Sequence, residues 1–202
     1  MYGVLRHRNH PYGRAIVFAS PSGGGKSTII KCVREHFPDI RFSVSSTTRP
    51  PRAYEVDGVD YDFLSRERFQ DYIEVGDFLE FEEVHGDLYG TRKSKILHFL
   101  ENNLDVIFDL DVLGALSLKR IFPDALLIYL DVTSIDELRK RLELRGTETP
   151  ESIEKRLQRY RFEREKAEQF DRIIMNDDLE TAVKSVIEAI AEYLKEKSLE
   201  TM

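Results

Sequence analysis

The stretch AIVFASPSGGGKSTIIKCVREHF, residues 15–37, constrains the fold of this chain more than any other. An apolar run is followed by a glycine-rich loop and then by Ile29, Ile30, Val33 and Phe37 at helical spacing, with Pro38 to end the helix. Strand, loop and helix in that order place the backbone N–H groups of Gly23 to Lys26 at a helix N-terminus, where they can converge on phosphate oxygens. The pattern approaches the phosphate loop G-x-x-x-x-G-K-[ST], except that Ser20 stands where the first glycine belongs. Serine fits there freely if φ is negative; a positive φ costs on the order of 1–2 kcal/mol and weakens the loop. The residues after it are intact. Ser20, Pro21, Ser22, Gly23, Gly24, Gly25, Lys26, Ser27 and Thr28 therefore read as a working triphosphate loop, with Lys26 on the β/γ-phosphates and Ser27 on Mg²⁺.

The remaining chain alternates strand-like and helical segments. AIVFA (15–19), FSVS (42–45), DVIFDLD (105–111), LLIYLDV (126–132) and RIIMN (172–176) read as strands, several of them apolar on both faces. The last helix carries an apolar stripe of Val183, Val186, Ile187, Ile190, Ala191 and Leu194. This predicts an α/β three-layer sandwich around a mostly parallel sheet. Two regions break the rhythm: residues 43–95, rich in Arg, Tyr, Asp and Glu, and residues 136–168, helical and crowded with charge. They divide the domain, 15–202, into a core (15–42, 96–135, 169–202), an inserted α+β region (43–95) and a helical lid (136–168). Residues 1–14 form an extension that reads as a disordered basic arm, an extra edge element or a translation-start artefact.

Charge then narrows the partners. A net charge of -7 argues against nucleic acid, so a site for anions must concentrate its cations locally. No apolar run is long enough for a membrane span, and the start of the chain lacks a signal-like apolar core. The single Cys32 rules out an internal disulfide and fits a reducing compartment; together these point to the cytoplasm. Cations gather in two places. Arg49 and Arg52 lie three apart, with Tyr61 following, and two guanidiniums with a phenol suit a phosphate dianion, although a solvated charged loop gives the same composition. The lid carries Arg139, Arg141, Arg145, Arg156, Arg159, Arg161 and Arg164, some of which must pair with neighbouring glutamates.

The motifs SPSGGGKST, SVSSTTRPPR..E..G..Y.F, LYGT, DLD and RGTET follow the order and spacing of guanylate kinases. The chain resembles that family from residue 15 to about 195. The resemblance implies a P-loop NTPase fold and transfer of the γ-phosphate of ATP to GMP, with dGMP as a second acceptor, in purine nucleotide metabolism. It implies that Arg49, Arg52, Tyr61 and Tyr89 hold the GMP phosphate, and that Ser45, Glu80, Thr91 and Asp111 read guanine. It also implies that Arg141, Arg145 and Arg156 close over ATP, and that Asn176 lies near the adenine. Lys26, Arg49, Arg141, Arg145 and Arg156 are then the catalytic cations, with Mg²⁺ as cofactor.

The chemistry of the base agrees. Guanine offers N1–H and N2–H₂ as donors and O6 as acceptor; the Glu80 and Asp111 carboxylates accept only, and the Ser45 and Thr91 hydroxyls can donate. In isolation, Glu80 in EFEEV reads better as the acidic outer face of a strand; the neighbouring motifs reverse that. Asp109 and Asp111 lie two apart at a strand tip, where ligands of α/β sheets bind. Asp109 also belongs to the GMP end and is the candidate to organise Mg²⁺ through water, leaving Asp111 to the base. Two rivals remain at this point: a guanylate-kinase-like binding module without activity, and a P-loop kinase for another acceptor. The complete Lys26-Ser27-Thr28 loop opposes the first, and the Glu80/Asp111 pair opposes the second.

Overall fold

β1 (Ala15–Ala19) is buried along its whole length because its side chains feed two cores. Ala15, Val17 and Ala19 face one layer of helices; Ile16 and Phe18 face the other. The computed structural model describes residues 13–84, 86–144 and 149–199. The loop after β1 leads into α1 (Lys26–His36), whose Ile29, Ile30 and Val33 cover one face of the sheet. The chain returns through β2 (Arg41–Ser43) and then leaves the core.

β3 (Ser46–Thr47), β4 (Asp62–Phe63), α2 (Arg66–Glu74), β5 (Phe78–Val84) and β6 (Asp87–Arg92) build a separate four-stranded sheet in the order β4-β3-β6-β5. Its own small core stacks Phe69 of α2 on Phe78 of β5, beside Leu88. Of the apolar run FSVS only Phe42 and Ser43 lie in a strand, Ser43 pairing with Phe108; Val44 and Ser45 link β2 to β3, whose Ser46 pairs with Gly90 and Asp62 in the other sheet.

α3 (Lys93–Glu101) brings the chain back, burying Ile96 and Leu100 beneath the main sheet. β7 (Val106–Asp109), α4 (Val112–Ile121), β8 (Leu126–Asp131), α5 (Ile135–Leu144), α6 (Pro150–Ala167), β9 (Arg172–Met175) and α7 (Leu179–Leu199) complete it. The main sheet runs β2-β7-β1-β8-β9 with every pair parallel. Helices α3 and α4 pack on one face, α1 and α7 on the other, which is the sandwich that the alternating pattern predicts. In α7 the buried line is Ala182, Val186 and Ile190, with Val183 and Leu194 beside it. Ile187 and Ala191, assigned to the stripe from sequence, sit half-buried on its flank. α5 and α6 share a further core of Leu138, Leu142, Ile153 and Leu157.

Arg14, assigned from sequence to the extension, is held by the core: its guanidinium bonds the Asp105 carboxylate and the Leu194 carbonyl. Residues 1–12 and Arg145 lie outside the described residues. Among the described residues, no helix is long and apolar enough to cross a membrane.

Candidate active site

The glycine loop opens into a cleft of about 440 Å³ at the carboxyl end of β1. Gly23 and Gly25 have φ of 96° and 84°, values that suit only glycine. At Gly23 the absence of a side chain also lets the loop approach Leu138 and Leu142 of α5; at Gly25 a Cβ would collide with the Asn176 amide. Ser20 has negative φ, since Asn103 is the only non-glycine residue with positive φ among the described residues. Serine there is unstrained, so the departure from the glycine pattern carries no backbone penalty.

Lys26 projects from the first turn of α1 and is anchored by the Asp109 carboxylate at 2.5 Å and the Leu110 carbonyl at 2.7 Å. Ser27 and Thr28 beside it are exposed to the cleft. Asn176 is buried and does not line the cleft; its amide donates to the Gly24 carbonyl at 2.6 Å and so braces the loop from beneath.

The opposite wall comes from the small sheet. Arg49 forms a two-pronged ion pair with Glu55 (3.0 and 2.8 Å) and lies over the rings of Tyr61 and Phe63. Arg52 donates its backbone N–H to the same carboxylate at 2.7 Å, leaving its side chain largely exposed. Tyr61 packs edge-on against Tyr89. Burial, reinforced by the charge of Asp109, pushes the Tyr61 phenol up, so it remains a hydrogen-bond donor at neutral pH. Arg49, Arg52, Tyr61 and Tyr89 all line the cleft. Glu55, which fixes both arginines, was part of the quoted motif but received no role from sequence.

Deeper in, Glu80 is 8% exposed, and its Oε1 has no hydrogen-bond partner. Burial drives its carboxyl up to about 7, and the charges of Asp111 and Glu82 add to this, while Thr91 tempers it. Thr91 stands opposite in the β5–β6 ladder, fully buried, with its own Oγ1 also unpartnered. Ser45 is buried and lines the cleft with Glu80, whereas Thr91, assigned to the base from sequence, does not line it and stands behind Glu80 in the sheet. Gly114 permits this arrangement, because a Cβ there would come within 2.9 Å of Glu80 Oε2. β7 stops at Asp109, so Asp111 is the N-cap of α4: its Oδ1 accepts from Gly114 N at 2.8 Å.

From the lid, Arg156 reaches the Ser22 hydroxyl of the loop and lines the cleft. Arg141 does not line it; its Nε pairs with Glu137 at 3.0 Å, the i,i+4 alternative weighed from sequence. Cleft residues that received no site role from sequence are Glu82, Val84, Asp87, Gly90, Leu110, Glu163 and Arg159, the last of them read only as one of the lid arginines. Only the helical spacing of Arg159 from Arg156 could have singled one of them out.

A parallel sheet with a glycine loop at the tip of its central strand defines a P-loop NTPase fold, and cationic and acidic walls face that loop across the cleft. Residues 12–193 match the family model described as guanylate kinase. A guanylate kinase of Chlorobium luteolum is 50% identical over 92% of this chain and 94% of its own. Another, of Salinibacter ruber, is 47% identical over 91% and 98%. The crystal structure of guanylate kinase from Anaplasma phagocytophilum superimposes with a TM-score of 0.71 at 26% identity, covering 93% of this chain and 87% of that one. A gluconokinase from Sinorhizobium meliloti, 16% identical with a TM-score of 0.54, shares the fold alone. The chain belongs to the guanylate kinase family, whose known reaction is phosphorylation of GMP by ATP.

Proposed function

We propose that this chain transfers the γ-phosphate of ATP to GMP, giving ADP and GDP. The observation that carries the reading is that the glycine loop and the buried Glu80, whose Oε1 has no hydrogen-bond partner, open into one cleft. A buried acceptor without a donor is costly until a ligand supplies one. Guanine N1–H and N2–H₂ are such donors, and the Ser45 hydroxyl can serve O6. Adenine supplies neither donor on that edge.

In this reading the loop N–H groups and Lys26 cradle the ATP phosphates, and Arg156 neutralises the transferred group from the lid side. Arg49, Arg52, Tyr61 and Tyr89 hold the GMP phosphate in line, and Asn176 acts by stiffening the loop. The division into core (15–42, 96–135, 169–202), acceptor-binding region (43–95) and lid (136–168) follows the separate small cores of the last two parts. Among the described residues no three His, Cys, Asp or Glu side chains gather as a metal cage. Ser27 and Asp109 instead suit Mg²⁺, which takes few protein ligands and completes its shell with phosphate oxygens and water. The ion would neutralise phosphate charge there; the positioning belongs to the loop, Lys26 and the arginines. A cytoplasmic location accords with the single half-buried cysteine.

Coupled ADP release with GMP, dGMP, IMP, AMP, CMP and UMP side by side tests the proposal. GMP is expected to exceed IMP, and IMP to exceed AMP, by at least about tenfold each in kcat/KM, since one unpaired buried acceptor costs about 1–3 kcal/mol. Equal use of AMP and GMP would refute it.

A further inference from the structure

Helix α6 reaches both ends of the cleft from one face. Arg156 bonds Ser22 in the phosphate loop; three residues on, Arg159 turns to the base end. Its Nη2 donates to Asp111 Oδ2 at 2.7 Å, and its Nε to Glu163 Oε1 at 2.7 Å. Glu163 is 6% exposed, so the guanidinium is clamped by a buried carboxylate on its own helix before it meets Asp111. Asp111 is fixed at both oxygens, by Gly114 N–H on one side and Arg159 on the other. This end of the cleft also holds Glu80 and Glu82 from β5, while Lys26 and Asp109 lie toward the loop. Four carboxylates thus crowd the base end, and Arg159 is the cation bonded to two of them.

We infer that Arg159 is a positioning residue for the acceptor base: it holds Asp111 in the orientation that receives guanine and ties the lid helix to occupancy of that site. The inference rests on the guanine reading of the cleft. Each carboxylate oxygen has two lone pairs, so Asp111 Oδ2 can keep Arg159 while accepting a hydrogen bond from the base. Competition between Arg159 and guanine for Asp111 would have the opposite sign, since removing Arg159 would then tighten GMP binding. Because Arg159 and Arg156 share a helix, base binding and closure over the loop become linked, and linked affinities must be reciprocal.

The experiment is calorimetric titration of GMP and IMP, with and without a non-hydrolysable ATP analogue, on the full chain and on Arg159→Met, Arg159→Lys and Glu163→Gln, with steady-state kinetics alongside. For Arg159→Met we expect GMP affinity to fall at least tenfold and the affinity for the ATP analogue alone to stay within about threefold. The tightening of GMP by the ATP analogue should shrink in the same variant. Arg159→Lys should recover most of the GMP affinity, and Glu163→Gln should lose part of it with the same ATP indifference. Should Arg159→Met fail to fold, the other two variants decide the matter by the same split. Unchanged or tighter GMP binding in folded variants, or equal losses for GMP and ATP, would overturn the positioning role. AMP binding the unmodified chain as well as GMP does would overturn the guanine reading and this inference with it.

Discussion

Replacing Glu80 by Gln should make the protein more stable and the enzyme worse. Burial raises the Glu80 carboxyl from 4.5 to about 7, with Asp111 and Glu82 adding to the effect. At 1.36 kcal/mol per unit, keeping it ionised in the folded protein costs about 3 kcal/mol. The sign follows from linkage: the folded form holds this proton more tightly than the unfolded one, so the cost is absent below pH 4.5. It grows as pH rises from 4.5 to about 7 and is complete above. Gln has no such cost, and the stability gap between variant and parent should widen from pH 5 to pH 8. Activity should move the other way. Losing a charge-assisted acceptor for guanine costs about 1.5–3 kcal/mol, or roughly 10- to 150-fold in kcat/KM for GMP. IMP lacks the N2 amine, so it should lose less, and the gap between GMP and IMP should narrow. Denaturant unfolding across pH 5–8 and kcat/KM for both substrates measure the two effects. A stability difference that is flat with pH would show that Glu80 is not ionised at a cost. GMP turnover within threefold of the parent would show that it does not read the base.

Lys26→Ala should lower kcat by about 10² or more while GMP binding, measured by calorimetry, persists, because the lysine serves the transferred group. Arg49→Ala should raise KM for GMP more than Arg52→Ala does, each by an amount equivalent to about 1.5–3 kcal/mol at most, since Arg49 is clamped by Glu55 and Arg52 is largely exposed; equal effects in steady-state kinetics would contradict the preorganisation. Ser20→Gly should leave kcat/KM for ATP within about tenfold, because serine is unstrained at its negative φ; a hundredfold gain would mean that the native loop is impaired.

How much of this was legible in the sequence depended on whether neighbours in space were neighbours in the chain. The loop, its lysine and the helix after it are contiguous, and the local pattern alone defines their geometry. Arg49, Arg52 and Tyr61 were also readable, being spaced along one insertion. Asp111 was placed beside Asp109 on a strand, yet the strand ends at Asp109 and Asp111 caps α4. A two-residue spacing cannot tell a strand tip from a helix cap when both begin with an apolar run. Glu80 looked like one more acid on an alternating strand; what distinguishes it is Gly114, more than thirty residues away, which leaves room for its carboxylate. Arg159 was one of seven lid arginines, and only the packing of α6 across the cleft selects it.

The same packing explains how a chain of net charge -7 can serve two polyanions. Its site cations are held by acids of the site itself: Lys26 by Asp109, Arg49 by Glu55, and Arg159 by Asp111 and Glu163. These pairs lie partly out of solvent, where the attraction between unit charges exceeds its value in water and salt screens it less. The guanidiniums and the ammonium are thereby aimed before a phosphate arrives, and little of the energy of binding is spent on ordering long side chains. The acids also set a threshold. A lone anion must compete with a carboxylate at one point, whereas a nucleotide engages the phosphate clamp and the buried Glu80 together. In the proposed reading, discrimination therefore resides in the second contact, where a guanine base would supply the donor that the buried Glu80 Oε1 lacks.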